Sequence, residues 1–188
     1  MLFRSAALAW NLARLAECLL HLTGQQAAET TIDAFPLAIR SAFRAAVLRR
    51  LGLTSAGEEA DARLAAALVD FLLKSGAPFE QCFFDWRGGV ASMARAQAGP
   101  AAHFYQTADF TPLQAALAEH APASDAQLDH PYFRRATPCT MLIDEVEALW
   151  AEIDTRDNWV PLMQKIVDIG EMRAAYAPPA LEQAAGDT

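Results

Sequence analysis

The stretch WNLARLAE, residues 10–17, lies in the middle of a leucine pattern that decides how the chain begins to fold. The leucines recur at alternating spacings of four and three residues, which places them on one side of an α-helix. They are Leu8, Leu12, Leu15, Leu19 and Leu22. Intervening alanines widen this apolar side to roughly half of the circumference at 100° per residue. An apolar arc of that width is typical of a helix at the centre of a core, so we expect this first helix to be buried.

The other side of the same helix carries polar and aromatic residues. Arg14 lies one turn after Trp10 and three residues before Glu17. At that spacing its guanidinium can stack on the indole and pair with the carboxylate at the same time. The periodicity alone favours a structural role for the stretch.

The chain on both sides of this helix predicts a protein made of helices. Alanine is abundant while valine and isoleucine are sparse, which favours helix over strand. We expect an all-α single domain of about seven helices over residues 1–176, with a flexible segment at 121–130 and a disordered tail at 177–188. The 188 residues, 53% of them apolar, suffice for one core.

Sequence signals place the helix boundaries. The first helix is expected from about Ser5 to Leu22, and later helices are expected to end at Gly52 and Gly76, where a left-handed residue is favoured. The remaining start signals are Asp33 with Pro36 in its first turn, Asp61, Pro78 before an aromatic helix, Thr111-Pro112, Thr140 and Asp157. The aromatic helix bears Phe79, Phe83, Phe84 and Trp86, which we expect to form a core wedge.

Charge and cysteine content exclude several classes of protein. A net charge of −8 argues against nucleic acid or an anionic membrane as partner. No run of eighteen apolar residues is present, so no segment is expected to span a membrane. Cys18, Cys82 and Cys139 are far apart and form no CxxC motif, which predicts three reduced thiols in a cytoplasmic protein.

The residues suggest two enzymatic alternatives, a carboxylate metal site and a Cys-His nucleophile pair. The carboxylates of Asp144, Glu145, Glu147 and Glu152 resemble the acids that hold paired metals in helical bundles, but they flank the apolar stripe of their helix and no Glu-x-x-His occurs. A solvated face is the better interpretation, with a helical carboxylate metalloenzyme as the alternative. No histidine forms a recognised ligand pair; a Cys-His nucleophile pair stays open because two such residues need only meet in space.

The opening stretch also resembles a known family. WNLARLAE after an Ala-Leu-Ala run looks like the segment that follows the activation loop in the selenoprotein O (SelO, YdiU) family. Two weaker likenesses follow: RRLGL at 49–53 resembles the family's basic-Leu-Gly-Leu helix end, and residues 61–73 with the aromatic 79–87 resemble its next helix and turn. The resemblance thus covers the chain to about residue 90, and residues 138–147 depart from it as in a divergent branch.

This resemblance implies a fold and an activity. SelO proteins have a protein-kinase-like fold and are described as pseudokinases that transfer AMP from ATP to protein hydroxyls. The chain would then be the C-terminal helical part of such a fold, with ATP and Mg²⁺ implied as cofactors of a full-length protein only. Trp10, Asn11, Arg14 and Glu17 would support the catalytic segment from beneath without taking part in chemistry.

The family's catalytic parts have no counterpart in these residues. A kinase-like site uses a glycine-rich loop, a strand lysine paired with a helix glutamate, a catalytic Asn and a metal-binding Asp-Phe-Gly or Asp-Tyr-Gly. In SelO proteins these lie upstream of the WNL helix, and none is found here. We therefore expect no catalytic, cofactor-binding or metal-binding residue in this chain, and no activity from it alone.

Two kinds of partner fit this expectation. A kinase-like N-terminal segment or protein would complete the fold, or the chain would associate with itself. The alternative function is a free-standing helical interaction or regulatory module that docks a partner chain. Its motivation is the wide apolar arc of the first helix, which would be left exposed without a covering segment.

Overall fold

The computed structural model describes residues 7, 10–15, 17, 18 and 27–177, and the chain divides into two compact units, residues 1–47 and 48–188. The described residues after position 26 form seven α-helices: α1 (Ala27–Leu51), α2 (Glu58–Ser75), α3 (Phe79–Asp85), α4 (Met93–Ala98), α5 (Thr111–Ala118), α6 (Ile143–Arg156) and α7 (Val160–Tyr176). Short 3₁₀ turns lie at Gly89–Ser92, Phe104–Gln106, Ala108–Phe110 and Pro131–Arg134. No strand occurs in this described part, so the predicted all-α class is confirmed.

Two predictions for the first unit, the burial of Leu15 and the start of α1, are wrong. Residues 10–15, 17 and 18 are helical as predicted, but Leu15 is 55% exposed, so its expected burial is wrong. Leucine spacing fixes which residues share a face and not what covers that face. The predicted bounds of this helix, Ser5 and Leu22, lie outside the described residues, as do Leu8 and Leu19.

The start of α1 was also predicted wrongly. The helix begins at Ala27 rather than at Asp33, and Pro36 lies in its interior. Proline removes one backbone hydrogen bond and costs about 3 kcal/mol in a helix interior. The helix-forming alanines and glutamate before it continue the helix nonetheless, because one lost bond is a small part of a 25-residue element.

The core of the second unit is a cluster of aromatic rings beneath α2. Phe71 on α2 contacts Phe110 edge to face with ring centroids 5.2 Å apart, and it contacts Tyr105 at 6.1 Å. Trp86 closes the cluster at 4.8 Å from Phe110 and 5.4 Å from Tyr105. The predicted aromatic wedge is confirmed by the burial of Phe83, Phe84 and Trp86; its first member, Phe79, is 40% exposed.

A second group of buried residues joins α3 to the C-terminal end of α7. Phe84 packs edge to face on Tyr132 at 5.6 Å, and Phe133 lies 5.8 Å from Phe84. Tyr176 at the end of α7 contacts both Tyr132 and Phe133, and Ala175 is fully buried beside them. This group fixes α7 against the Pro131–Arg134 turn.

Glycines shape the turn that joins the residues after α3 to Leu51, the last residue of α1. Gly52 has φ +60° and ends α1 as predicted, and Gly88 has φ +94°. The Gly88 N–H donates to the carbonyl of Leu51 at 2.6 Å, and a Cβ on Gly88 would lie 2.6 Å from Leu128 Cδ1, the end of a flexible side chain. The backbone conformation therefore favours glycine at position 88.

Residues 121–123 run alongside 52–54. Thr54 N–H donates to the Ala121 carbonyl and Ala123 N–H to the Gly52 carbonyl, each at 2.9 Å. These bonds hold the start of the segment that sequence analysis assigns to a flexible stretch. That flexibility, like the boundaries of the domain and its tail, stays a prediction.

The caps of the last two helices differ from expectation. Asp157 does not cap α7; it takes the left-handed conformation with φ +49° at the end of α6, and Asn158 Oδ1 accepts from Val160 N–H at 3.2 Å instead. Thr140 does not accept a bond from the α6 backbone but donates to Glu145 Oε1 at 2.7 Å. Neighbouring polar residues compete for one cap, and local spacing does not decide between them.

The two last helices each carry an exposed apolar face. No residue of α6 is buried, although its amphipathic spacing was predicted correctly. Large exposed side chains on this pair are Leu142, Ile143, Val146, Trp150, Trp159, Val160, Met163, Ile166 and Val167. Within the described residues, no helix is both long and apolar enough to cross a bilayer.

Candidate functional site

The site residues predicted from sequence make the contacts that their spacing indicated. The Arg14 guanidinium pairs with Glu17 at 2.5 Å and lies 5.7 Å from the centre of the Trp10 ring. Trp10 is 63% exposed, and Asn11, Arg14 and Glu17 are exposed as well. The contacts are therefore a surface cluster, and the supporting role assigned to these four residues stays a prediction.

A buried contact between a histidine and a carboxylate joins α2 to the segment that follows α5. His120 Nε2 lies 3.0 Å from Asp61 Oδ1, and His120 Nδ1 lies 2.9 Å from the carbonyl oxygen of Ala116. Both ring nitrogens thus face oxygen atoms. Asp61 also accepts from Ser55 Oγ at 2.5 Å and from Ala56 N–H at 3.1 Å.

These partners set the charge state of Asp61. Burial alone raises its pKa, but the hydrogen bonds from Ser55, Ala56 and His120 outweigh burial, so the pKa lies below its ordinary value. Both oxygens of the carboxylate have a protein donor. We assign this group to the fold, since it ties three segments together.

A second buried carboxylate lies under the aromatic core. Asp85 is fully buried at the end of α3; its Oδ1 accepts from Gln81 Nε2 and its Oδ2 from the Tyr105 hydroxyl, each at 2.8 Å. Burial raises the pKa of Asp85 above its ordinary value, although both donors and the nearby charge of Arg95 lower it. The same burial raises the pKa of the Cys82 thiol to about 12, with the Asp85 charge adding to the effect.

Replacing Asp85 separates its role as an acceptor from its charge. We expect Asp85→Ala to lower the free energy of unfolding by about 2–4 kcal/mol, because two buried donors each lose an acceptor worth about 1–3 kcal/mol. Asp85→Asn keeps one acceptor oxygen and removes the desolvated charge, so the free energy of unfolding should fall by about 1 kcal/mol or less. Urea denaturation at neutral pH measures both; equal losses for the two variants would contradict this assignment.

Beside Asp85 lies a cavity of about 360 Å³ with an unusual concentration of arginine. Its lining residues are Asp85, Arg95, Ala98, Gly99, Phe133, Arg134, Arg135 and Ala136. Three elements contribute to it: the end of α3, the helix α4 with the residue that follows it, and the Pro131–Arg134 turn with its continuation. Three arginines and a single acidic residue therefore line one partly open cavity.

The arginines of the cavity are held in different ways. Arg95 donates from Nη2 to the Arg87 carbonyl at 2.7 Å and lies over the rings of Phe133 and Phe84, 5.0 and 5.5 Å from their centres. Its Nε is buried with no hydrogen-bond partner in the described structure, and burial lowers the pKa of Arg95 despite the charge of Asp85.

Arg135 is paired outside the cavity, whereas Arg134 is exposed. Arg135 Nη2 contacts Asp168 at 3.2 Å and Nη1 contacts Glu171 at 3.5 Å, both on α7; Nη1 is buried and makes no hydrogen bond of normal geometry among the described residues. Arg134 precedes it in the chain and also lines the cavity. Buried donors without acceptors are rare in folded proteins and mark places where a water, an ion or a ligand completes the bonding.

The described residues offer little else for chemistry. Among the described residues, no His, Cys, Asp and Glu side chains form a group of three or more placed to hold a metal ion. Among the acids weighed above, Glu145 pairs with Lys165 at 3.2 Å and Glu152 with Arg156 at 2.6 Å. All three cysteines lie in the described part of the chain and are free.

The residues that line the cavity were not predicted from the sequence. Arg134 and Arg135 form an adjacent basic pair after an aromatic residue, a visible signal, but Arg95 and Asp85 are distant in sequence. No spacing rule connects a helix end, a short helix and a turn more than thirty residues later. Only the fold brings these groups together.

Comparison with known proteins identifies relatives of the chain. Residues 4–169 match the family model described as Protein adenylyltransferase SelO. Over 80 residues the chain is 40% identical to "Protein nucleotidyltransferase YdiU" of Bradyrhizobium sp. (strain ORS 278). That alignment covers 39% of this chain and 16% of the relative, so the chain spans less than a fifth of the length of the relative that it matches. No solved structure matches the chain.

Proposed function

The chain belongs to the SelO family of protein adenylyltransferases, and from that premise we propose that it is the C-terminal helical portion of an enzyme that transfers AMP from ATP to protein hydroxyls. We further propose that this portion is not catalytic alone. In support, its residues contain no phosphate loop and no metal-binding kinase motif, and Asp85, Glu145 and Glu152 are engaged in structural bonds.

The observation that carries the proposal is the exposed apolar face of α6 and α7. Trp150 is 63% exposed on α6, and Val160, Met163 and Val167 are spaced to share one side of α7. A soluble surface rarely leaves so many large apolar side chains in water unless another surface covers them. A nucleotide-handling, kinase-like segment is the partner that family membership suggests, and ATP and Mg²⁺ would bind to that segment.

The predicted location follows from the same proposal. A cytoplasmic SelO-like protein would keep Cys18, Cys82 and Cys139 reduced, as the sequence suggests. Neither nucleic acid nor membrane is part of the proposal, since the net charge of −8 disfavours both.

An AMP-transfer assay tests whether the chain is inactive alone. The purified chain, incubated with Mg-ATP and a generic protein acceptor, is expected to yield no AMP-modified protein by intact mass. Isothermal titration with Mg-ATP is expected to show no micromolar binding, because the sequence lacks the phosphate loop and the metal-binding motif of a kinase-like site. AMP incorporation or micromolar affinity for Mg-ATP would overturn the proposal.

Docking is tested by a charge placed on the apolar face. A separately expressed kinase-like segment of a SelO relative should co-elute with the chain, and Trp150→Lys should abolish co-elution because it buries a charge. Thr155→Lys is the matched control: it introduces the same charge at an exposed position on another side of α6. If the chain instead elutes as a defined oligomer that Trp150→Lys dissociates, the face serves self-association and the alternative, a free-standing interaction module, is favoured.

A further inference from the structure

We propose that the cavity lined by Arg95, Arg134 and Arg135 binds the phosphate group of a small molecule. This inference is independent of the AMP-transfer proposal, because it concerns side chains within the second unit alone. It assigns a ligand to a space that neither catalysis nor docking uses. The reasons are the donors that face the cavity, their charge and its size.

Hydrogen-bond donors outnumber acceptors in this cavity. Each guanidinium carries five N–H donors and no acceptor, and the single carboxylate, Asp85, already accepts from Gln81 and Tyr105. Arg95 Nε is buried without a hydrogen-bond partner in the described structure, whereas Arg135 Nη1, which also lacks a hydrogen bond, lies 3.5 Å from Glu171 Oε2. An oxyanion supplies several acceptor oxygens at once, which is what such a group of donors lacks.

Charge favours an anion as the ligand. Three cationic side chains line the cavity against one acid, and burial further disfavours ionisation of that acid. Arg135 shares its charge with Asp168 and Glu171 on its far side, so Arg95 and Arg134 carry the unbalanced positive charge. A phosphate monoester, with a charge between −1 and −2 near neutral pH, matches this balance better than a neutral ligand.

Size sets the class of ligand. A volume of about 360 Å³ falls at the lower end of the range for small-molecule sites, roughly 300–1,000 Å³. It exceeds what a bare phosphate needs. The remaining wall is apolar, from Phe133, Ala98 and Ala136, with Gly99 contributing only backbone. A phosphate that carries a small organic group therefore fits, with its oxygens on the arginines.

Phosphate NMR and a thermal-shift titration test the proposal on the full chain. Inorganic phosphate is the probe, acetate is the carboxylate comparison, and sodium chloride holds the ionic strength constant. We expect phosphate to bind saturably and at least tenfold more tightly than acetate. Binding that does not saturate, or acetate affinity equal to that of phosphate, would overturn the assignment.

Variants of the exposed lining residue Arg134 locate the site. Arg134 is exposed, so Arg134→Gln should fold normally and weaken phosphate binding at least tenfold, while Arg134→Lys should restore part of it. Arg156→Gln removes an equally exposed arginine from α6, outside the cavity, and should leave binding unchanged. Equal affinity of Arg134→Gln and the unaltered chain, or equal weakening by Arg156→Gln, contradicts a site at this cavity.

Discussion

Phe71→Ala is expected to lower the free energy of unfolding by about 3–5 kcal/mol, the cost of removing a large side chain from a well-packed core. Phe71 is almost completely buried on α2, and its ring contacts those of Phe110 and Tyr105. Trp86 packs on the same two rings. These neighbours come from separate segments and cannot all move into the vacated space, so a cavity should remain.

The exposed end of the same helix provides the control for this change. Leu73 lies two residues after Phe71 and is 71% exposed. Leu73→Ala should change the free energy of unfolding by about 0.5 kcal/mol or less, as is usual for exposed positions. Urea denaturation of both variants, followed by far-ultraviolet circular dichroism, makes the comparison. Similar losses at the two positions would show that the ring cluster does not form the core.

Local patterns predicted the helices well because helix formation depends on neighbours in sequence. The spacing of apolar residues predicted α2, α6 and α7, and the left-handed glycines Gly52 and Gly76 end their helices as expected. The family resemblance is confirmed, and the family match extends past residue 90 to residue 169. The segment that departs from familiar members therefore still belongs to the family.

The features that were predicted wrongly or missed depend on residues that are distant in sequence. The short helix α4 and the 3₁₀ turns at 104–110 have little apolar periodicity, and α5 and the aromatic core hold them in place. The buried face of α2 was foreseeable, whereas the exposure of Leu15 and of the α6 stripe was not. The same amphipathic pattern describes a helix facing its own core and a helix facing a partner. Only the three-dimensional contacts distinguish these two cases.

Asp61→Asn is expected to lower the free energy of unfolding by about 3–5 kcal/mol near neutral pH, about as much as the loss of the Phe71 ring. The carboxylate accepts bonds from Ser55, Ala56 and His120, and hydrogen bonds to a charged group contribute about 1.5–3 kcal/mol each. An amide offers one acceptor oxygen in place of two and turns an N–H toward a donor. His120, buried with both nitrogens facing oxygens, also loses its carboxylate partner.

The pH dependence of stability gives this prediction a second, independent readout. The pKa of Asp61 is lower in the folded chain than its ordinary value of 3.8. The stabilisation is therefore fully present above the unfolded-state pKa of about 3.9 and is lost as pH falls through the lower folded-state value. Denaturation midpoints of the unaltered chain should decline over that acid range, and Asp61→Asn should remove this part of the decline.

Asp70→Asn, at an exposed position of α2 where the carboxylate pairs with Lys74 at 2.8 Å, provides the matched control and should preserve the acid dependence. If Asp61→Asn kept the full acid dependence, the charge on Asp61 would not be what joins α2 to α5.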